Sequence, residues 1–312
     1  MNNLDFLQSW TGHRETAVDR IDPYRVRQMA ATFDLDGACF REGDALPPLW
    51  HWLFATPVAA LGEAGHDGHT ARGGFLPPVP LPRRMWAGSR VRWEAQLPIG
   101  QTLERHSRVL GVKPREGKTG PLVFVSVEHQ WHCAGRLALL EEQDIVYRDL
   151  PETAAPSPAL PRAAKVWTSN LEDAAHPGSN PGGADAVECT VCPNEVLLFR
   201  YSALTFNSHR IHYDRRHCLE AEKYPGLVVH GPLLATMMVT LAWYHAKRRF
   251  PARLAFRAMA PVFDGESIRV RASLAEHLDP GSALGAFASD LYANCSVVRS
   301  DGSVAMTAQL AW

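Results

Sequence analysis

The sequence predicts an α+β protein in which an antiparallel sheet curls around a buried helix, with the same plan repeated more weakly in the first half of the chain. Three observations carry this. Residues 231–249, GPLLATMMVTLAWYHAKRR, are apolar around most of a helical circumference, the signature of a helix covered on all sides. The stretches after it alternate apolar and polar residues with the period of half-buried strands. Between the halves, 149–184 is rich in Pro, Gly, Ala and Ser and reads as a linker. A sheet covering so apolar a helix must wrap it.

In chain order, the first half spans 1–148. Leu49–Leu61 (LWHWLFATPVAAL) is a helix candidate interrupted by Pro57, and alternating runs follow at 89–97, 101–112 and 121–135. The linker carries Pro151, Pro156, Pro158, Pro161, Pro177 and Pro181 with Gly178, Gly182 and Gly183. The second half spans 185–312. There 185–192 places Val187, Cys189 and Val191 on one face of a strand, 195–206 is apolar enough to pack on several sides, and 218–224 is a short helical piece. Pro225-Gly226 makes a turn before an extended Leu227-Val228-Val229. Pro232 suits the first turn of the buried helix, while Lys247, Arg248 and Arg249 complement its negative end. Strands are expected at 253–260, 266–273, 284–298 and 303–312, the last two joined through an Asp301-Gly302 hairpin signal.

Composition narrows the function. The 312 residues carry 32 Lys+Arg against 33 Asp+Glu, with 46% hydrophobic residues. That is too apolar for a disordered chain and too evenly charged for a basic nucleic-acid binder. The best membrane candidate, 227–246, is broken by His230, Pro232 and His245. The N-terminal residues include Asp5 and Glu15 and form no secretory or transit signal, and six cysteines give no disulfide framework. These points lead to a cytoplasmic protein as the expectation.

The chemistry is concentrated before the buried helix. Asn207, His209, His212, Asp214 and His217 crowd into 207–217, and His230 stands directly before Gly231. Unpaired N–H groups at a helix N-terminus stabilise an oxygen that gains negative charge. Histidine moves protons near neutral pH, and an asparagine can hold a water. Together they suit proton transfer beside a carbonyl. Asp214 and His217 are expected as exposed loop residues. His209, His212 and His217 have ligand-like spacing but no evident carboxylate or cysteine partner, and Cys189-x-x-Cys192 lacks a second pair, so no metal is expected.

The stretch FRYSALTFNSHRIHYD (199–214), followed by YPGLVVHGPLLA (224–235), resembles the Asp-x-Asn-Pro-x-His motif of the MaoC-like hot-dog enoyl-thioester hydratases. Asn207 stands at the motif's aspartate, His209 at its asparagine, Arg210 at its proline, His212 at its histidine and Gly231 at the oxyanion-hole glycine. Asn207 cannot act as a general base, which throws that work onto His212, and Arg210 replaces a turn-forming proline. These departures, with GGFLPPVPLPRRMWAGS (73–89) and AMAPVFDGESIRV (258–270), resemble the branch of type 2 hydroxyacyl-thioester dehydratases and of mesaconyl-C4-CoA and itaconyl-CoA hydratases.

The resemblance implies a double hot-dog, each module a curved antiparallel sheet around a central helix. Residues 1–148 would be a degenerate module shaping the acyl pocket and 185–312 the catalytic one. It implies reversible hydration of a short 2-enoyl-CoA, branched and dicarboxylic as in mesaconyl-C4-CoA or itaconyl-CoA. His212 would be the base, Asn207 would hold the water, and the Gly231 N–H would bind the thioester oxygen. His209, Arg210, His230, Tyr201, Arg83, Arg84 and Trp86 are expected to bind substrate or support the site. No cofactor is implied beyond the coenzyme A of the substrate; no nucleic-acid or membrane partner is expected, and a monomer of paired modules or a homodimer both fit. A 3-hydroxyacyl-acyl-carrier-protein dehydratase, a hot-dog thioesterase and a non-catalytic acyl-thioester binding module remain the alternatives.

Overall fold

The computed structural model describes residues 4–117, 120–150, 166–175, 186–277, 282–285 and 287–312. The linker prolines and glycines named above lie outside the described residues. The strands are β1 (Arg14–Arg20), β2 (Arg83–Trp93), β3 (Thr102–Gly117), β4 (Gly120–Cys133), β5 (Arg136–Arg148), β6 (Ala186–Val191), β7 (Arg253–Ala258), β8 (Ile268–Ala275), β9 (Tyr292–Val298) and β10 (Val304–Ala311). The helices are α1 (Leu4–Gln8), α2 (Pro23–Thr32), α3 (Leu171–Ala174), α4 (Glu195–Leu204), α5 (Arg215–Glu220) and α6 (Gly231–His245). Among the described residues no helix is long and apolar enough to cross a membrane.

All strands join one sheet in the order β1-β3-β4-β5-β2-β7-β10-β9-β8-β6. The first five precede residue 149 and the last five follow residue 185. The seam is the antiparallel pair β2–β7, in register from Gly88 opposite Arg257 to Arg92 opposite Arg253. Hydrogen bonding therefore runs unbroken from one half to the other, and one apolar core spans both.

In the second half α6 fulfils the expectation of a buried central helix. Leu233, Met237, Met238, Val239 and Leu241 are fully buried, and the helix packs against β6, β8, β9 and β10. Pro232 sits in its first turn, where a missing N–H costs no intrahelical bond. The four strands expected after Pro251 are present, but β8 is shifted two residues toward the C-terminus and β9 starts only at Tyr292, so the expected strand over 284–291 does not form among the described residues.

The first half departs from expectation at its helix. Leu49–Leu61 is not a helix: Leu49 has φ 69°, a single 3-10 turn covers Trp50–Leu53, and irregular chain follows. Bulk takes the place of helical length. Trp50 is buried against Phe33 and Phe40, with ring centroids 6.2 and 5.2 Å away. Beside it, the buried Glu141 carboxylate accepts from Trp52 Nε1 at 3.0 Å and Ser89 Oγ at 2.9 Å, and His51 Nε2 lies 3.4 Å from it. These contacts hold the chain in a single tight turn that a continuous α-helix over 49–61 would break.

The segment 166–175 is also not linker in character. Trp167, Leu171, Ala174 and Ala175 are buried in the core, and the Trp167 ring lies 5.6 Å from that of Phe33. Its alternation is too short to register in a single sequence.

Two contacts bring the halves together beside the candidate site. Arg83 on β2 is buried with its Nε 3.0 Å from Glu222 Oε2, and its guanidinium lies 4.0 Å from the Tyr224 ring centroid. The loop 65–69 is stitched to 207–210. The Arg210 N–H donates to the Asp67 carbonyl at 2.8 Å, Arg210 Nη1 to the His66 carbonyl at 3.0 Å, and Ser208 Oγ to the Gly68 carbonyl at 2.5 Å. Gly68 permits this approach: its φ is +86°, and a Cβ there would stand 1.9 Å from the Ser208 carbonyl oxygen.

Two stability outcomes follow. Leu241→Ala opens a cavity under the sheet and should lower the unfolding free energy by about 2–5 kcal/mol, read as a lower urea midpoint. Gly68→Ala should destabilise by about 1–3 kcal/mol and raise protease sensitivity in the 65–69 loop; unchanged thermal and proteolytic behaviour would mean that the close approach does not exist in solution.

Candidate active site

The cluster before α6 is held by its own backbone. Helix α4 ends with Phe206 in the left-handed region at φ 51°, and the Asn207 N–H returns to the Ser202 carbonyl at 2.9 Å. Asn207 Oδ1 then accepts the His209 N–H at 3.0 Å, turning the chain into a single 3-10 turn over Arg210–His212. The Val228 N–H donates to the Ile211 carbonyl at 2.9 Å, and Val228 bridges to Phe263. That extended residue places its own carbonyl against His212.

His212 is buried, and its Nδ1 lies 2.7 Å from the Val228 carbonyl oxygen. A carbonyl only accepts, so Nδ1 carries the proton and Nε2 keeps its lone pair. Burial pushes the imidazole down to about 3, more than the Val228 bond raises it, so the ring is a neutral base. Its face stacks on His230 at 3.6 Å and 18°. His230 Nε2 lies 2.8 Å from Ser202 Oγ, and Tyr201 packs against the same ring at 5.0 Å. Tyr201 is thus a wall behind His230.

His230 is the N-cap of α6, which brings His212 alongside the first N–H groups of that helix. Gly231 follows. A Cβ there would find its nearest neighbours, Met306 Cε and the Trp86 carbonyl oxygen, at 3.9 Å, which is ordinary contact. Protein packing alone therefore does not demand glycine at 231, and the space above its N–H is open. The Trp86 ring is set by Nε1 donating to Ser89 Oγ at 2.9 Å and by Trp52 at 4.8 Å.

The first half contributes residues that the sequence did not single out. Asp67 Oδ2 lies 3.1 Å from His69 Nδ1, and its Oδ1 accepts the His69 backbone N–H at 3.0 Å. The His69 ring lies 3.8 Å from that of His209, which meets His212 edge-on at 5.4 Å. Burial would raise Asp67, but the His69 hydrogen bonds and the Arg84 charge outweigh it and hold the carboxyl well below its usual range. Burial, aided by Arg84, pushes His69 down to about 4, and burial also lowers His209. The site is a row of neutral imidazoles anchored at one end by a carboxylate. No local spacing reveals this, because His69 and His209 meet only through the fold.

Other expectations find different surroundings. His217 is buried, not exposed, with its Nε2 3.9 Å from Glu222 Oε1, because α5 turns it inward. Asp214 caps α5 by accepting the His217 N–H at 3.0 Å and pairs with Arg210 at 2.7 Å. Arg210 is thereby committed, as Arg83 is to Glu222. Cys189 and Cys192 are buried free thiols. Among the described residues the group that could hold a metal is not His209, His212 and His217 but Asp67, His69 and His209, whose ligand atoms lie within 4.8 Å of one another. The Arg84 guanidinium acts on the same three side chains and opposes a cation there by charge.

Comparison with known proteins bears on the family and the fold. The family described as hydroxyacyl-thioester dehydratase type 2 matches residues 49–264. A mesaconyl-C(4)-CoA hydratase from Chloroflexus aurantiacus is 40% identical over 272 residues, which cover 87% of this chain and 90% of that protein. A solved MaoC-like dehydratase superposes with a TM-score of 0.65 at 14% identity, covering 97% of this chain and 98% of that one. A Mycobacterium tuberculosis protein described as having a double hotdog fold superposes at 0.50 with 15% identity, over 96% of this chain and 95% of that one. The ten-stranded sheet and its two halves are accordingly a double hot-dog of the α+β class. The chain belongs to the hydroxyacyl-thioester dehydratase type 2 family and is a hydro-lyase.

Proposed function

We propose that this chain catalyses reversible addition of water across the double bond of a short 2-enoyl-CoA, with a branched dicarboxylic acyl group of the mesaconyl-C4 kind as its substrate. The observation that carries the reading is the seating of His212: Nδ1 is bound to the Val228 carbonyl, and the ring is stacked on the residue that caps α6. The similarity to mesaconyl-C(4)-CoA hydratase supports the acyl group. The exposed free thiol of Cys39 fits a reducing compartment, and we assign the reaction to the cytoplasm.

In this mechanism the thioester oxygen accepts a hydrogen bond from the Gly231 N–H, which draws electron density from C3. Asn207 has spent its side-chain oxygen on the His209 N–H, and its NH2 group is left to donate to the attacking water. His212 Nε2 takes a proton as the water oxygen bonds to C3, and negative charge moves through C2 onto the thioester oxygen beside the helix N-terminus. Return of that proton to C2 closes the cycle, so the step balances without metal or redox chemistry. Asp67 fixes the His69 tautomer and holds that ring against His209, which keeps the loop carrying His212 in place.

His212→Ala should lower kcat by about 10²–10⁴-fold while the thermal unfolding midpoint stays near that of the wild type, measured by loss of enoyl absorbance. Free thiol released with the double bond intact would instead point to a thioesterase.

The pH response has a definite sign. Because folded His212 titrates near 3 and His69 near 4, both below the ordinary 6.5, kcat/KM should show no ionisation near 6.5 and stay flat from neutral pH down to about 5. The unfolded chain binds more protons between 6.5 and those values. Stability should therefore be full above about 6.5 and decline as pH falls below it, seen as a falling denaturation midpoint.

A further inference from the structure

We propose that Arg84 anchors the distal carboxylate of the acyl group, and that the cavity between Arg84 and the 65–72 loop is the subsite that selects a dicarboxylic thioester. The proposal rests on the hydratase reading above and names the side chain that sets its substrate class.

The cavity has a volume of about 340 Å³ and is lined by Arg84 with His66, Asp67, His69 and Thr70 among others. Its charge is unbalanced. Arg84 and Arg72 supply two guanidiniums and Asp67 one carboxylate, while His69 is kept neutral by burial. Asp67 already spends both oxygens on His69. One negative group entering the cavity would neutralise it.

The neighbouring arginines are occupied. Arg83 holds Glu222, Arg210 holds Asp214, and Arg215 pairs with Asp264. Arg72 donates to the carbonyls of Val79, Leu81 and Pro82. Arg200 is exposed and reaches only the Ala31 carbonyl at 3.5 Å. Among the described residues Arg84, unlike Arg83, Arg210 and Arg215, has no carboxylate in ion-pair distance, and unlike Arg72 it is not tied to backbone carbonyls. Across the sheet it pairs with Tyr147, whose buried hydroxyl lies close enough to the Arg84 guanidinium to be held down by it against the upward push of burial. A guanidinium offers a carboxylate paired N–H donors in a fixed fork.

Position along β2 completes the argument. Residues two apart on a strand share a face and are separated by about 7 Å. Arg84 is therefore one such step from Trp86, whose carbonyl borders the space above Gly231. An extended four-carbon acyl unit and the Arg84 side chain together span that interval, with the thioester oxygen at the α6 N-terminus and the far carboxylate in the cavity. The imidazoles of His69 and His209 flank the path.

The test uses the full chain in steady-state hydration of mesaconyl-C4-CoA, crotonyl-CoA and the 3′-dephospho form of mesaconyl-C4-CoA, with wild type, Arg84→Gln and Arg84→Lys. In Arg84→Gln the ratio of kcat/KM for mesaconyl-C4-CoA to that for crotonyl-CoA should fall by about 30-fold or more, carried mainly by KM, with Arg84→Lys in between. The same fall should occur with the dephospho substrate. A penalty that disappears with the dephospho form would show that Arg84 reads a coenzyme A phosphate, and an equal loss on crotonyl-CoA would show general damage; either overturns the anchor. A wild type that hydrates crotonyl-CoA but no dicarboxylic thioester overturns the substrate class, and one inactive on all three overturns the hydratase reading itself.

Discussion

One hydrogen bond, from the Nδ1–H of His212 to the carbonyl of Val228, fixes which nitrogen of the buried imidazole can accept a proton. The bond depends on Val228 being extended, which depends on its pairing with Ile211 and Phe263, and those depend on the short turn that Asn207 initiates. The stacked His230 then links the same ring to the start of α6. Base and helix terminus are thereby parts of one rigid assembly.

The replacement of a carboxylate by Asn207 within this loop changes the electrostatics of the whole centre. A carboxylate beside His212 would favour its protonated form. With an amide there, burial dominates, and the imidazoles of residues 209, 212 and 230 are all held in the neutral state. The carboxylate beside these rings is Asp67 of the first half, held ionised chiefly by its hydrogen bonds to His69. The first half shows no long central helix among the described residues, yet it contributes charge, imidazole and aromatic surface to the candidate site.

The sequence made α6, the strands after Pro251 and the 207–212 loop legible, because each is encoded by contiguous pattern: unbroken apolarity, alternation, and a motif of fixed spacing. Strand β1, the first part of β2, β5 and helix α2 went unseen, since partly exposed strands carry mixed polarity and α2 is short with a modest apolar face. The 49–61 segment misled because its apolar residues fit a helix, while the groups that hold it to one tight turn, Glu141 and Phe33, lie far away in sequence. The pairing of His69 with His209 was invisible for the same reason. His217 was misjudged from its polar neighbours, although α5 turns it into the interior.

The shared seam between β2 and β7 has a consequence for solubility. Two separate modules would leave four bare strand edges, each a template for unwanted pairing, and the fusion leaves two. One of these, β6, is screened where Trp167 bridges to Val191 and the Cys192 N–H reaches Val166. The other, β1, reads RETAVDR and carries charged residues at both of its ends, Arg14 and Glu15 at one and Asp19 and Arg20 at the other. An approaching β-strand would have to strip water from those charges, so the continuous sheet resists growing into an aggregate at both of its ends.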